Sequence, residues 1–275
     1  MAAGLGLGEN TGMESVQRSL LDHVIIAVGD LDAAAQSYRR LGFTLSDLGM
    51  HPGRGTVNRC IVFPNAYLEL LGPGNDCAED FLLDVLARRE GGASIALAMQ
   101  DPAHIFSRLR AVRPDIEPTV TGSREIHSAA GVHVISFDVQ RISPDALLPG
   151  RFFFCAHRNR ERVYDPGLFQ HANEARRLTR IVIAANTGEI GWPVPLMELG
   201  YRLIGRSSDR IRIDCGGVEL VFVNPESVRS EVSLTEMPVI PPAPAIVLLE
   251  FEANSDQRVP ASAAHGVVLS FKAQR

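Results

Sequence analysis

The chain has 275 residues, with 27 Lys and Arg against 32 Asp and Glu (formal net charge -5), and it is 45% hydrophobic and 21% charged. These are ordinary values for a water-soluble globular protein, with length for one large domain or two medium ones. The mild acidity argues against a nucleic-acid surface, which needs a basic face, and no run approaches the ~18 uninterrupted apolar residues of a membrane span.

The opening stretch, residues 1–19, carries Gly4, Gly6 and Gly8 with no strand ahead of them, so it reads as a frayed tail and not a dinucleotide loop. It shows no basic region followed by an apolar one. Cys60, Cys77, Cys155 and Cys215 are scattered without a CxxC pair, which fits neither a zinc knuckle nor a disulfide scaffold. The expectation is reduced thiols in the cytoplasm.

From Leu21, HVIIAV reads as a short apolar strand. Asp30 then offers an N-cap for a helix over 31–41, stopped by Gly42. Strands follow at FTLSDL (43–48), NRCIVF (58–63) and AYLELL (66–71), with Pro64-Asn65 as the last turn, giving a βαβββ unit. A linker helix around 78–89 ends at Gly91-Gly92. The pattern then recurs: SIALAM (94–99), a helix from Asp101-Pro102, and strands around 115–121, 132–139 and 151–157. A third unit runs from LTRIVIAAN (178–186) through a helix-like stretch to Leu199-Gly200, then YRLIG, DRIRIDC and VELVFV. AIVLLEFEA (245–253) and HGVVLSF (265–271) read as the first and last strands of a truncated fourth, behind the Pro-rich linker 238–245.

The repeat predicts an α+β fold of tandem βαβββ units forming cupped mixed β-sheets with outer helices, an ordinary α+β sandwich being the alternative. Units 1 and 2 are expected over 20–175, and unit 3 with the truncated unit 4 over 176–275.

Strand alternation places His23 on one face with Leu21, Ile25 and Ala27, and Glu69 with Tyr67 and Leu71. A carboxylate inside a strand as apolar as AYLELL is costly to bury unless paired, protonated or metal-bound. His23 and Glu69 therefore form a candidate ligand pair. A satisfied core histidine and a solvent-facing edge glutamate are the plainer alternatives.

LDHVIIAVGDLDAAAQSYRRLGF followed by NAYLELLG resembles the vicinal oxygen chelate superfamily, which includes glyoxalase I, extradiol dioxygenases and bleomycin-resistance proteins. HPGRGTVNRCIVFPNAYLELLG (51–72) and FFFCAHRNRERVYDP (152–166) point to its long, multi-unit, glyoxalase-like members. The resemblance runs from about Leu20 onward and implies metal ligands on the first and last strands of the units, where His23 and Glu69 stand. It implies further ligands in the second unit. There Ser94 is a poor ligand, His157 is favoured, and Cys155 would pull the site towards zinc. His23, Glu69 and His157 would make a two-His-one-carboxylate site suited to Fe or Mn, with Zn, Ni or Co as alternatives.

In the third unit Arg180 replaces the histidine and Val221 falls near the glutamate position, so no second metal site is expected. Arg180 is a candidate for a substrate carboxylate, against a surface arginine. His51, Thr56 and Asn58 lie in a Gly-rich connection. His51 is a candidate general base and Thr56 and Asn58 candidate substrate contacts, a plain hairpin being equally compatible. The expected activity is metal-dependent chemistry, of isomerase, lyase or ring-cleaving dioxygenase type, on a small substrate with vicinal oxygens. The alternative is a non-catalytic binding protein of the resistance type. A small-molecule partner, no nucleic acid, no membrane, and a monomer or homodimer complete the expectations.

Overall fold

Leu21–Ala27 forms the first strand, β1, buried along its whole length, as its run of β-branched and aliphatic residues requires. This computed structural model describes residues 20–112, 114, 116–142, 151–189 and 199–274; the expected tail and the helix-like stretch before Leu199 lie outside them. Helix α1 (Leu31–Arg40) starts where Asp30 Oδ1 accepts from Ala33 N at 2.9 Å and presents Leu31, Ala34, Ala35 and Tyr38 to the core. β3 (Thr56–Val62) and β4 (Tyr67–Pro73) follow close to expectation. β2 is Leu48–His51, not 43–48. Thr44 is instead held across the chain, its N–H donating to His171 Nδ1 (3.1 Å) and its hydroxyl to Gln170 O (2.5 Å). Helix α2 (Asp80–Leu86) is shorter than the expected 78–89.

The second unit is β5 (Gly91–Ala98), α3 (Pro102–Val112), β6 (Val120–Ser128), β7 (Gly131–Arg141) and β8 (Phe152–His157). Residues 116–119 precede β6 without regular structure, and β6 continues to Ser128, past the expected end at 121. In both units the first strand pairs in parallel with the last, β1 with β4 and β5 with β8. β1 also pairs with β5, and β2 with β6, both antiparallel. The order β1-β4-β3-β2-β6-β7-β8-β5 therefore returns to β1 and closes an eight-stranded barrel with no free edge.

The third unit, β9 (Arg177–Ala184), β10 (Arg202–Arg206), β11 (Arg210–Asp214) and β12 (Glu219–Val223), repeats the parallel first-to-last pairing. So does the truncated fourth, β13 (Ala245–Ala253), β14 (Gln257–Val259) and β15 (Val268–Ala273). β9 pairs antiparallel with β13 as β1 does with β5. The seam against the barrel is apolar and aromatic: Phe63 meets Phe251 at 5.3 Å between ring centroids, and Phe43 meets Phe271 at 6.0 Å. Among the described residues no helix is long and apolar enough to cross a membrane.

Candidate functional site

Alternation sends half of each barrel strand inward, and the interior is a cavity of about 820 Å³ whose wall includes His23, His51, Tyr67, Glu69, Arg124 and His157. That is the size of a small-molecule site.

Glu69, 6% exposed, lies across the β3–β4 ladder from Cys60. Its Oε1 accepts a short hydrogen bond from Asn58 Nδ2 and lies 3.9 Å from His51 Nε2. Its Oε2 lies 3.5 Å from His23 Nε2. Burial alone would raise the Glu69 pKa, but His23, His51, Arg124 and the Asn58 amide outweigh it and hold the carboxyl below its usual range. His51 Nδ1 is 2.9 Å from Thr56 Oγ1, which leaves Nε2 as the nitrogen turned towards Glu69. Burial, aided by Arg124, Arg54 and His23 against the opposing pull of Glu69, pushes the His51 pKa down to about 4, so at neutral pH the ring is uncharged. Gly49 is paired with Asn58 in the β2–β3 ladder, and a Cβ there would fall on Asn58 Oδ1. Glycine at this position is what lets Asn58 reach the carboxylate.

Asp22 is the residue that alternation hides. The β1–β5 register shifts between Leu21 and His23, and this irregularity brings Asp22 and His23 to the same side. Leu21 packs in the outer core with Val24 and Ile26, so it does not share the face of His23 as expected. Asp22 Oδ1 is 2.7 Å from His23 Nδ1 and 3.0 Å from His157 Nε2, and Oδ2 is 3.3 Å from Arg160 Nη1. The Tyr164 hydroxyl donates to the Asp22 carbonyl at 3.0 Å. Burial would raise the Asp22 pKa, but His157 and His23 overcome it and hold the carboxyl far below the usual range. An ionised carboxylate only accepts. The proton between Asp22 and His23 therefore sits on Nδ1, and Nε2 is the nitrogen left to act on Glu69 or a bound group. The His23 ring also stacks on Tyr67, 4.5 Å between centroids.

Two donor sets thus share His23. On the Nδ1 side, Asp22, His23, Cys155 and His157 offer ligand atoms all within 4.8 Å of one another. On the Nε2 side, His23, Glu69 and His51 converge. The expected trio of His23, Glu69 and His157 is not gathered on one His23 nitrogen, because His157 sits with Asp22 and Tyr67, its Nε2 3.2 Å from the Tyr67 hydroxyl. Cys155 Sγ is 3.8 Å from the same nitrogen, and burial pushes its thiol pKa well up, so it is protonated at neutral pH.

Arg180 is a correction. It binds Glu231 through two nitrogens at 2.8 and 3.0 Å, with Glu219 at 3.7 Å, in the sheet of the third and fourth units and away from the cavity wall. Thr56 lines the cavity, and Asn58 acts on Glu69. Two residues the sequence reading passed over stand in the site, Asp22 and Arg124. An Asp directly before a strand histidine is a signal for the first; the second sits in β6 beyond residue 121, where the sequence pattern predicts the strand to end.

A family model described as a glyoxalase-like domain matches residues 21–189. No curated protein matches the chain. Among solved structures, a hypothetical protein from Staphylococcus aureus superposes with a TM-score of 0.64 at 11% identity, over 92% of this chain and 99% of that one. A xylose isomerase-like TIM barrel/4-hydroxyphenylpyruvate dioxygenase fusion protein gives a TM-score of 0.51 at 13% identity, over 90% of this chain and 39% of that one. At these identities the likeness is one of fold.

Proposed function

The chain belongs to the glyoxalase-like domain family, of the vicinal oxygen chelate fold, and from that premise we propose that it is a divalent-metal enzyme acting on a small substrate with adjacent oxygens inside the β1–β8 barrel. The observation that carries the reading is the flanking of Glu69 by two imidazole Nε2 atoms, at 3.5 and 3.9 Å, each ring tied back at Nδ1 to Asp22 or Thr56. Metal-binding histidines characteristically donate the other ring nitrogen to a carboxylate, a backbone carbonyl or water, which fixes tautomer and orientation, as His23 does to Asp22.

The residues fit the group. Glu69 is ionised and the neutral His51 offers a lone pair, so His23 Nε2, His51 Nε2 and Glu69 form a two-His-one-carboxylate donor set of the kind suited to Fe(II) or Mn(II). The Nδ1-side cluster reads as its support: both Asp22 oxygens are already hydrogen-bonded, and an ion there would displace the His23 proton. His51, a candidate base on sequence grounds, is a ligand in this reading, and His157 a positioning residue.

A divalent ion so held supplies Lewis-acid stabilisation to charge developing on a substrate oxygen. The chain does the remainder. Asp22 keeps the proton on His23 Nδ1, Asn58 orients the Glu69 carboxylate, and Ile25, Leu71 and Phe153 give the cavity an apolar lining that excludes water. The test is anaerobic reconstitution with Fe(II) or Mn(II), metal analysis, and a turnover screen of dicarbonyls, hydroxyacids and catechols. Stoichiometric metal with turnover supports the enzyme. A protein with no affinity for Fe, Mn, Ni, Zn or Co that still binds such compounds is the resistance-type binder instead.

A further inference from the structure

Arg124 is a buried cavity residue whose chemistry the proposed donor set leaves unused. It enters the barrel from β6, is 4% exposed, and lines the cavity. Nη1 donates to Cys60 Sγ at 3.0 Å, and the guanidinium lies 5.8 Å from the Tyr67 ring centroid. Nε has no hydrogen-bond partner, and among the described residues no carboxylate oxygen stands within ion-pair distance of it. An arginine remains charged in any setting. A buried cation whose direct contacts are a thiol sulfur and a ring face, with the Glu69 carboxylate acting on it only from beyond ion-pair distance, is costly to keep, and such a group is ordinarily completed by an anion.

Glu69 does not complete it. Its oxygens are turned to Asn58, His51 and His23. Of the other arginines lining the cavity, Arg54 pairs with Glu79 at 3.7 Å, Arg151 stacks over Phe81 at 4.4 Å, and Arg141 is exposed to water. Glu79, Asp80 and Glu117 line the same cavity. Arg124 is therefore a buried cavity cation without an ion-pair partner among the described residues, and its position is set: it bonds Cys60, and Cys60 faces Glu69 across the β3–β4 ladder.

We propose that the cavity takes a small carboxylate, of the 2-oxo or 2-hydroxy acid class, with its carboxylate on the Arg124 guanidinium and its adjacent oxygen towards the His23, His51 and Glu69 group. The carboxylate half stands on Arg124 alone; the adjacent-oxygen half rests on the function proposed above. A guanidinium fork matches a carboxylate in two parallel hydrogen bonds, which a neutral ketone oxygen cannot reproduce.

The test compares 2-oxobutyrate with pentane-2,3-dione, which share shape and vicinal oxygens and differ in charge. Binding is measured by calorimetry on the protein as purified and after Mn(II) loading. The wild type is expected to prefer 2-oxobutyrate by about tenfold or more. Arg124→Met is expected to abolish that preference while Mn(II) binding and the dione affinity persist, and Arg124→Lys to retain part of it. Equal affinity for both compounds in the wild type, with Mn(II) bound, overturns the carboxylate assignment and leaves the metal reading standing. A preference that survives in Arg124→Met also overturns it. Binding of neither compound, together with no Mn(II) uptake, removes both. Should Arg124→Met fail to fold, the wild-type comparison and the reduced preference of Arg124→Lys decide the matter.

Discussion

Asp22 Oδ1 lies 2.7 Å from His23 Nδ1, although the two residues are neighbours on one strand, where side chains ordinarily leave on opposite faces. The irregularity in β1 that permits this gives His23 a fixed tautomer, and with it one defined nitrogen facing Glu69. Asp22→Asn keeps the volume and loses the charge. Mn(II) affinity is expected to fall about 10- to 100-fold, the usual effect of losing such a supporting carboxylate. Titration of the purified variant with Mn(II) checks this, and unchanged affinity would remove Asp22 from the site.

The pH dependence of stability follows from His51. Its folded pKa of about 4 lies below its ordinary value of about 6.5, so between those limits the unfolded chain binds the proton and the folded one does not. Stability of the metal-free protein is therefore expected to rise with pH across this window, by about 3 kcal/mol at most. Urea unfolding at intervals from pH 4 to 7 measures the slope, which should flatten in His51→Gln. Asp22 acts lower: its folded pKa is depressed, so its contribution is present above the unfolded value of about 3.9 and fades only as pH falls below that.

Gly49→Ala tests the support of the carboxylate from a distance. The new methyl group would meet Asn58 Oδ1, so Asn58 must withdraw from Glu69. A loss of about 1–3 kcal/mol in stability is expected, as for other overpacked sites, with weakened Mn(II) binding. A variant that melts like the wild type and binds Mn(II) equally would show that Asn58 does not set Glu69.

Glu231→Gln serves as the contrasting substitution. Glu231 answers both Arg180 and Arg210, the latter at 2.9 Å, so the change leaves two partly buried cations short of a counter-charge. A cost of about 2–4 kcal/mol is expected, discounted from that of a fully buried pair because the arginines keep some contact with water. Metal content and ligand affinity should not change. If they do, the third and fourth units are coupled to the barrel site.

Much of this fold was legible in the sequence, for a physical reason. β1, β3, β4, β9 and β13 are inner strands whose apolar runs are dictated by burial on both faces, and α1 carries its own Asp30 cap. The 43–48 stretch misled because Phe43 and Leu45 alternate with polar residues as a half-buried strand would, while its partners, Gln170 and His171, lie far along the chain. His23 and Glu69 were visible as polar groups in apolar strands. Asp22 was not, because a local irregularity overrides alternation, and Arg124 was not, because β6 is too polar to announce its length. Arg180 drew attention by standing where a histidine would, but its counter-charge, Glu231, comes from an exposed-looking turn that no strand pattern predicts.

The most direct test of the central claim is metal stoichiometry in four proteins loaded identically with Mn(II) and desalted: wild type, Glu69→Gln, His51→Ala and His157→Ala, each with its melting temperature. The account predicts near-stoichiometric metal in the wild type, a loss of about tenfold or more in affinity for Glu69→Gln and His51→Ala, and retention of the ion by His157→Ala with a smaller loss. Metal kept by Glu69→Gln and His51→Ala but lost from His157→Ala would place the ion with Asp22 and Cys155, on the other nitrogen of His23, and would contradict the account.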